Sequence, residues 1–156
     1  MKRHIIVFSL ILMSVGYNQD YEIDEYTFEW LVDEVRNVKM EIRKEEDRVQ
    51  VVLGYDMKSL FLTPTNAEAI GRVLSTTDKY YLKMKDSPTK VTEKVDAGDY
   101  YIQFQKSEES GFNVFIAKPD DYFLSFSLDR KTALGLSKYL MESKAMIDFL
   151  NQKLKL

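Results

Sequence analysis

The side chains that most often perform nucleophilic or metal chemistry are nearly missing from this sequence. His4 is the only histidine among the 156 residues, and there is no cysteine. His4 belongs to an N-terminal segment with the features of a removable signal peptide. Once that segment is removed, the chain has no Ser–His or Cys–His pair for nucleophilic catalysis. It also lacks the two side chains that zinc prefers.

Residues 87–90, with the sequence SPTK, have the spacing of a Ser-x-x-Lys motif, in which an amine activates a hydroxyl. The segment has the composition of a loop. It also lacks the companion motifs and the helical setting of such enzymes. We therefore interpret it as a chance match.

Carboxylates are abundant, with 25 Asp and Glu residues, so a two-carboxylate hydrolase stays open as an alternative. No pair is marked, because the densest clusters fall in predicted hairpin turns, where carboxylates usually keep the turn solvated: Glu45, Glu46, Asp47, Glu108 and Glu109. Asp20, Glu22 and Asp24 alternate as in a calcium loop, but the glycine and distal glutamate of an EF-hand are absent. The sequence thus predicts a non-enzymatic protein without a metal or cofactor site.

The first residues have the order of a signal peptide. Lys2 and Arg3 precede an apolar run at residues 5–13, and Ser14 and Gly16 have the small-residue spacing of a cleavage site. We predict a signal peptide at residues 1–16, an acidic tether at 17–26 and a single domain at 27–156. The protein is then exported, to a periplasm or the outside of the cell, without a membrane span after cleavage. A buried first strand and an uncleaved anchor are the alternatives.

The charge balance argues against a nucleic-acid partner. Loss of Lys2 and Arg3 takes the formal net charge from −3 to about −5. An acidic domain is repelled by phosphate backbones and gains nothing from counterion release.

Period-two alternation predicts strands on both sides of the middle of the chain. Residues 38–43 alternate apolar and charged side chains, and residues 100–105 place Tyr100, Ile102 and Phe104 on one face and uncharged polar or aromatic side chains on the other. Thr63 followed by Pro64 is a strong helix start, and the apolar spacing predicts one helix running into the eighties. Asp129 caps a second, longer helix at the equivalent place. Gly71 and Gly135 within these helices predict close packing against a neighbouring element.

Residues 125–140 match residues 59–74 at a shift of 66 positions, with identities at Ser125, Leu128, Ala133 and Leu140. Each half has four predicted strands followed by a helix. We therefore predict an α+β fold of duplicated four-strand-plus-helix units, at about 27–87 and 88–156, with antiparallel sheets packed against two long helices. The alternative is that strand-to-helix junctions resemble one another because caps and amphipathic stripes recur.

The outward face of the second predicted sheet is the main candidate for a binding site. It combines aromatic rings with amides and hydroxyls and carries no charge: Tyr101, Gln103, Gln105, Asn113, Phe115, Phe123 and Ser125. Rings stack on sugars or bases, and amides bind polar edges. The predicted ligand is a neutral polymer or an unknown protein. Alternatively the face packs against the other half, the N-terminal segment or a second subunit of a homo-oligomer.

The order of four strands and a helix, present twice, resembles the Whirly fold and its relatives among transcriptional regulators that bind single-stranded nucleic acids. The resemblance covers roughly residues 28–154 and concerns topology alone. The basic motif of plant Whirly proteins is absent, so no family binding residue carries over. The resemblance implies single-stranded nucleic-acid binding as the alternative to an exported binding module.

Overall fold

The computed structural model describes residues 27–119 and 121–154, and for residues 121–125 and 154 it describes the backbone alone. The predicted signal peptide and tether lie outside these residues. Over the described residues the chain forms two four-stranded antiparallel sheets, each followed by helix. The predicted α+β fold of duplicated units is therefore confirmed.

The first sheet is a meander with the strand order β1-β2-β3-β4. Its strands are β1 (Thr27–Val35), β2 (Val38–Glu45), β3 (Arg48–Tyr55) and β4 (Lys58–Leu62). The hairpins turn in two residues, and the first residue of each turn has a positive φ: 58° at Arg36, 49° at Glu46 and 54° at Asp56. Such turns match the right-handed twist of the strands that they join.

The helix after β4 is broken in two, so the prediction of one continuous helix is wrong. Its parts are α1 (Pro64–Leu74) and α2 (Thr77–Met84). The hydroxyls of Ser75, Thr76 and Thr77 each donate to the carbonyl three residues earlier, at 2.7, 2.6 and 2.6 Å. Because these bonds occupy the carbonyls at the end of α1, the three hydroxyl residues favour ending the helix there.

The second sheet has the order β5-β6-β7-β8. Its strands are β5 (Val91–Ala97), β6 (Tyr100–Ser107), β7 (Gly111–Lys118) and β8 (Asp121–Asp129), and α3 (Arg130–Leu154) follows without a break. The two predicted caps are both formed. Thr63 Oγ1 accepts a hydrogen bond from Asn66 N at 3.2 Å, and Asp129 Oδ1 accepts one from Thr132 N at 2.8 Å. No helix in the described part of the chain is long and apolar enough to cross a bilayer.

The two units share one hydrophobic core, to which both sheets and all three described helices contribute. The core follows the 66-residue repeat. Five positions of the first unit and their five equivalents are all buried: Leu60, Leu62, Ala67, Ile70 and Leu74, and Phe126, Leu128, Ala133, Leu136 and Leu140.

The two helix glycines lie where a side chain would collide with a neighbour, as predicted. A Cβ on Gly71 would lie 2.7 Å from the backbone nitrogen of Met141 in α3. A Cβ on Gly135 would lie 2.6 Å from Cγ1 of Val35 in β1. Glycine therefore lets α1 approach the backbone of α3, and α3 approach the first sheet.

Candidate functional site

Five of the predicted site residues lie side by side on the outer face of the second sheet. Tyr101, Gln103 and Gln105 alternate along β6 with the buried Ile102 and Phe104. Asn113 and Phe115 alternate in the same way along β7. We call this set the amide–aromatic face: Tyr101, Gln103, Gln105, Asn113 and Phe115.

Gln103 is the centre of this face. Antiparallel pairing sets Phe115 of β7 directly opposite Gln103, and Asn113 opposite Gln105. On the other side, Lys94 of β5 is opposite Gln103. All five residues of the amide–aromatic face are half-buried, so the described part of the chain does not fully cover them. The prediction that something else covers this face stays a prediction.

The two glutamines are joined by a hydrogen bond that leaves polar atoms free. Gln103 Nε2 donates to Gln105 Oε1 at 3.1 Å. Gln103 Oε1 and Gln105 Nε2 have no hydrogen-bond partner among the described residues. Asn113 Nδ2 donates to the carbonyl of Ser110 at 2.8 Å, which fixes its amide against the β6–β7 turn. Among the described residues, the glutamine pair thus presents an amide oxygen and amide N–H groups without a partner.

Sequence reasoning missed the contribution of β5 to this surface. Lys94 Nζ lies 4.5 Å from the ring centroid of Tyr101, within cation–π range. Asp96 is the strand partner of Tyr101. The amide–aromatic face is itself uncharged, but it is bordered by one positive and one negative side chain. The alternation of residues 91–97 was a signal for this border, since it places Thr92, Lys94 and Asp96 on one face.

Phe123 and Ser125 belong to β8, but their side chains lie outside the part of the chain that the structure describes. The register between β7 and β8 shifts between Ile116 and Lys118. The contribution of these two side chains to the binding face remains a prediction.

The equivalent face of the first sheet has a different chemistry. Arg43 Nη2 lies 2.7 Å from Glu29 Oε1 and 3.7 Å from Glu41 Oε2. Its guanidinium also lies 5.7 Å from the ring centroid of Phe61, an exposed residue of β4. This is the charged face that the alternation of β2 predicts.

Two further sets of polar residues lie in or next to loops and turns: the SPTK segment and the turn carboxylates. The hydroxyl of Ser87 donates to the carbonyl of Thr89 at 3.2 Å, so the serine of the SPTK segment is engaged with the backbone rather than with Lys90. The turn carboxylates are exposed: Glu45, Glu46, Asp47, Glu108 and Glu109. Within residues 27–119 and 121–154, no group of three or more His, Cys, Asp or Glu side chains is arranged to hold a metal ion.

A second concave surface was not predicted. A groove of about 670 Å³ lies between β1 and the C-terminal half of α3. Trp30 and Val32 line it from β1, and Met146, Phe149 and Leu150 line it from α3. These residues are more than a hundred positions apart in sequence, so no local pattern joins them. The only local signal was a tryptophan in an edge strand.

No protein-family model matches this chain, and no curated protein sequence matches it either. The Whirly-like resemblance therefore stays a prediction that rests on the order of strands and helices.

Proposed function

We propose that the protein is an exported, non-enzymatic binding module whose amide–aromatic face holds a neutral polymer, with a glycan as the best-matched chemistry. The observation that carries the proposal is the Gln103–Gln105 pair. Among the described residues, it leaves an amide oxygen and amide N–H groups without a partner on a face that also carries the rings of Tyr101 and Phe115.

The spacing of the two rings suits a ligand made of repeated ring-shaped units. Tyr101 and Phe115 are diagonal neighbours across β6 and β7, because Phe115 pairs with Gln103. Diagonal neighbours in antiparallel sheets lie about 7–8 Å apart. Aromatic rings stack on the apolar faces of sugars, while the free amide atoms bind hydroxyls at the edges.

The charges around the face favour a neutral ligand over a nucleic acid. Lys94 and Asp96 have opposite signs, and Lys94 already contacts Tyr101. A phosphate backbone would therefore meet no net positive surface here. Binding of a neutral polymer should change little with salt, since no counterions are released.

The test is binding of the purified protein to immobilised neutral polymers of glucose, galactose and N-acetylglucosamine. Tyr101→Ala and Phe115→Ala should each weaken binding about tenfold or more, which corresponds to ~1.4 kcal/mol of lost stacking. Tyr55→Ala is the matched control, because Tyr55 is an aromatic residue 45% exposed at the β3–β4 turn. It should bind like the unmodified protein.

Unchanged binding in the Tyr101 and Phe115 variants would refute the role of this face. Tight oligonucleotide binding that weakens steeply with salt would favour the nucleic-acid alternative. A change of oligomeric state in the same variants would instead mark the face as a subunit contact. Export has a separate test, since the native protein should lack its first sixteen to nineteen residues and be found outside the cytoplasm.

A further inference from the structure

The groove between β1 and α3 is an exposed apolar feature that the proposed function leaves unexplained. Trp30, Val32, Ile42, Met146, Phe149 and Leu150 line it. Trp30 is 43% exposed and Phe149 is 51% exposed. Large apolar side chains gathered in an open groove usually mark a binding surface. A volume of about 670 Å³ is in the range of sites that accept several apolar groups.

The polar part of the groove is acidic. Asp33 and Glu142 line it, and neither forms an ion pair with a basic side chain among the described residues. Tyr139 also lines the groove, and its interaction with the Asp33 side chain raises the pKa of Tyr139. Partial burial and the nearby Asp33 and Glu142 carboxylates raise it further. An occupant of this groove should therefore be apolar and carry positive charge.

These charges argue against a second copy of the chain as the occupant. The strand β1 is an edge of the first sheet and pairs only with β2 in the described part of the chain. It carries Glu29, Asp33 and Glu34 and no basic residue. Two copies of β1 side by side would bring like charges together, which destabilises strand pairing.

We propose that in the uncleaved precursor, before residues 1–16 are removed, this groove holds the chain's own apolar run, residues 5–13, with Lys2 and Arg3 near Asp33 and Glu142. The chemistry matches, since Lys2 and Arg3, followed by His4, precede nine residues that are apolar except for Ser9. The acidic pair in the groove supplies the opposite charge. Apolar burial supplies the main driving force.

The connection is long enough for this arrangement. The thirteen residues 14–26 join the apolar run to Thr27, the first residue of β1. Extended, they span about 45 Å at most, and the groove begins at Trp30, three residues into the same strand. The run therefore reaches the groove without strain. Removal of residues 1–16 would leave the groove of the exported protein without this segment.

This inference does not rest on the amide–aromatic face, which belongs to the other sheet. The intact chain also supplies its own reporter, because Trp30 is the only tryptophan. We would measure acrylamide quenching of Trp30 fluorescence in the full chain at low micromolar concentration. The variant Ile6→Asp/Leu10→Asp places two carboxylates in the apolar run. The matched control Asn18→Asp/Gln19→Asp adds the same charge in the segment that connects the run to β1.

In the unmodified chain and the control, docking should reduce Trp30 quenching to roughly half of that in the Ile6→Asp/Leu10→Asp variant, because apolar contacts displace water from the exposed part of the ring. A second measurement uses the absence of native cysteine. Leu10→Cys with Ala145→Cys, which lines the groove, should form an intramolecular disulfide readily. Leu10→Cys with Lys79→Cys, an exposed position on α2, should not.

Equal quenching in the unmodified chain and the Ile6→Asp/Leu10→Asp variant would overturn the proposal. So would equal cross-linking of position 10 to positions 79 and 145. Shielding of Trp30 that develops only as protein concentration rises would also overturn it, because the occupant would then be a second copy.

Discussion

Residues 60–74 and residues 126–140 occupy equivalent places in the two units of this protein, yet the sheets that lead into them differ on their outer faces. Each stretch runs from a last strand through a side-chain cap into a helix. The same five equivalent positions are buried in both stretches. Outside, the first sheet carries the Arg43–Glu29–Glu41 cluster, and the second carries the amide–aromatic face.

This difference shows that core packing constrains the buried positions of each sheet but not the residues on its outer face. Both cores must fill one shared interior, so the apolar positions of both units obey the same strand and helix periods. The outer faces have no such common constraint. The proposed binding function accordingly belongs to a face at which the units differ, rather than to one at which they agree.

Substitutions at equivalent core positions of the two units should give the largest effect on stability. Leu74 and Leu140 are equivalent and fully buried, so Leu74→Ala and Leu140→Ala should each lower the free energy of unfolding by about 2–5 kcal/mol. Because the two units share one core, urea unfolding of either variant should remain a single transition. Leu82→Ala is the control, since Leu82 is 59% exposed on α2. Two separate transitions would show that the units fold independently.

The helix glycines should give the next largest effect, and an unequal one. The Cβ of Gly71→Ala meets backbone atoms of α3, whereas that of Gly135→Ala meets a methyl group of Val35. Gly71→Ala should therefore cost about 1–3 kcal/mol. Gly135→Ala should cost less, because a side chain moves more easily than a backbone, while both substitutions regain up to about 1 kcal/mol of helix propensity.

Denaturant titration measures both glycine variants. Adding Val35→Ala to Gly135→Ala tests whether that methyl contact is the cause, since the Gly135→Ala substitution should cost less in that background than in the unmodified chain. Equal costs for Gly71→Ala and Gly135→Ala would contradict the distinction between a backbone and a side-chain neighbour.

The two caps should give the smallest effect and differ in pH dependence. Thr63→Ala and Asp129→Ala should each cost about 1 kcal/mol near pH 7. Partial burial tends to raise the pKa of Asp129, but hydrogen bonds from Thr132 and Lys131 and the charge of Arg36, whose Nη1 lies 3.0 Å away, outweigh it and lower the pKa. A carboxyl with a lowered folded-state pKa stabilises the fold above the unfolded-state pKa, and loses this effect as pH falls through the folded-state value.

The cost of Asp129→Ala should therefore shrink as the pH falls below about 4, while that of Thr63→Ala stays constant. Thermal unfolding at a series of pH values measures this. Asp129→Asn is the control, because asparagine keeps a capping oxygen without the titration. If the loss of stability in Asp129→Ala does not vary with pH, the negative charge of Asp129 does not contribute to the stability of this cap.

The sequence by itself determined the features that depend on near neighbours along the chain. Alternation at residues 38–43 and 100–105 predicted β2 and β6, since strand side chains alternate every two residues. Thr63, Pro64 and Asp129 predicted the helix starts, because a cap acts within three residues. The sequence also predicted the uncharged composition of the amide–aromatic face. A short turn joins β6 and β7, so the two strands are neighbours both in sequence and in the sheet.

Only the tertiary structure decided the features that depend on distant contacts. It placed Lys94 and Asp96 beside the predicted face, through the pairing of β5 with β6. It brought α3 beside β1 and so formed the groove around Trp30. The end of α1 at Leu74 is by contrast a local feature that the sequence analysis missed, because hydroxyl bonding in Ser75–Thr77 outweighed the apolar spacing. Periodicity tells which side of an element is apolar, but which element meets that side depends on how the whole chain packs.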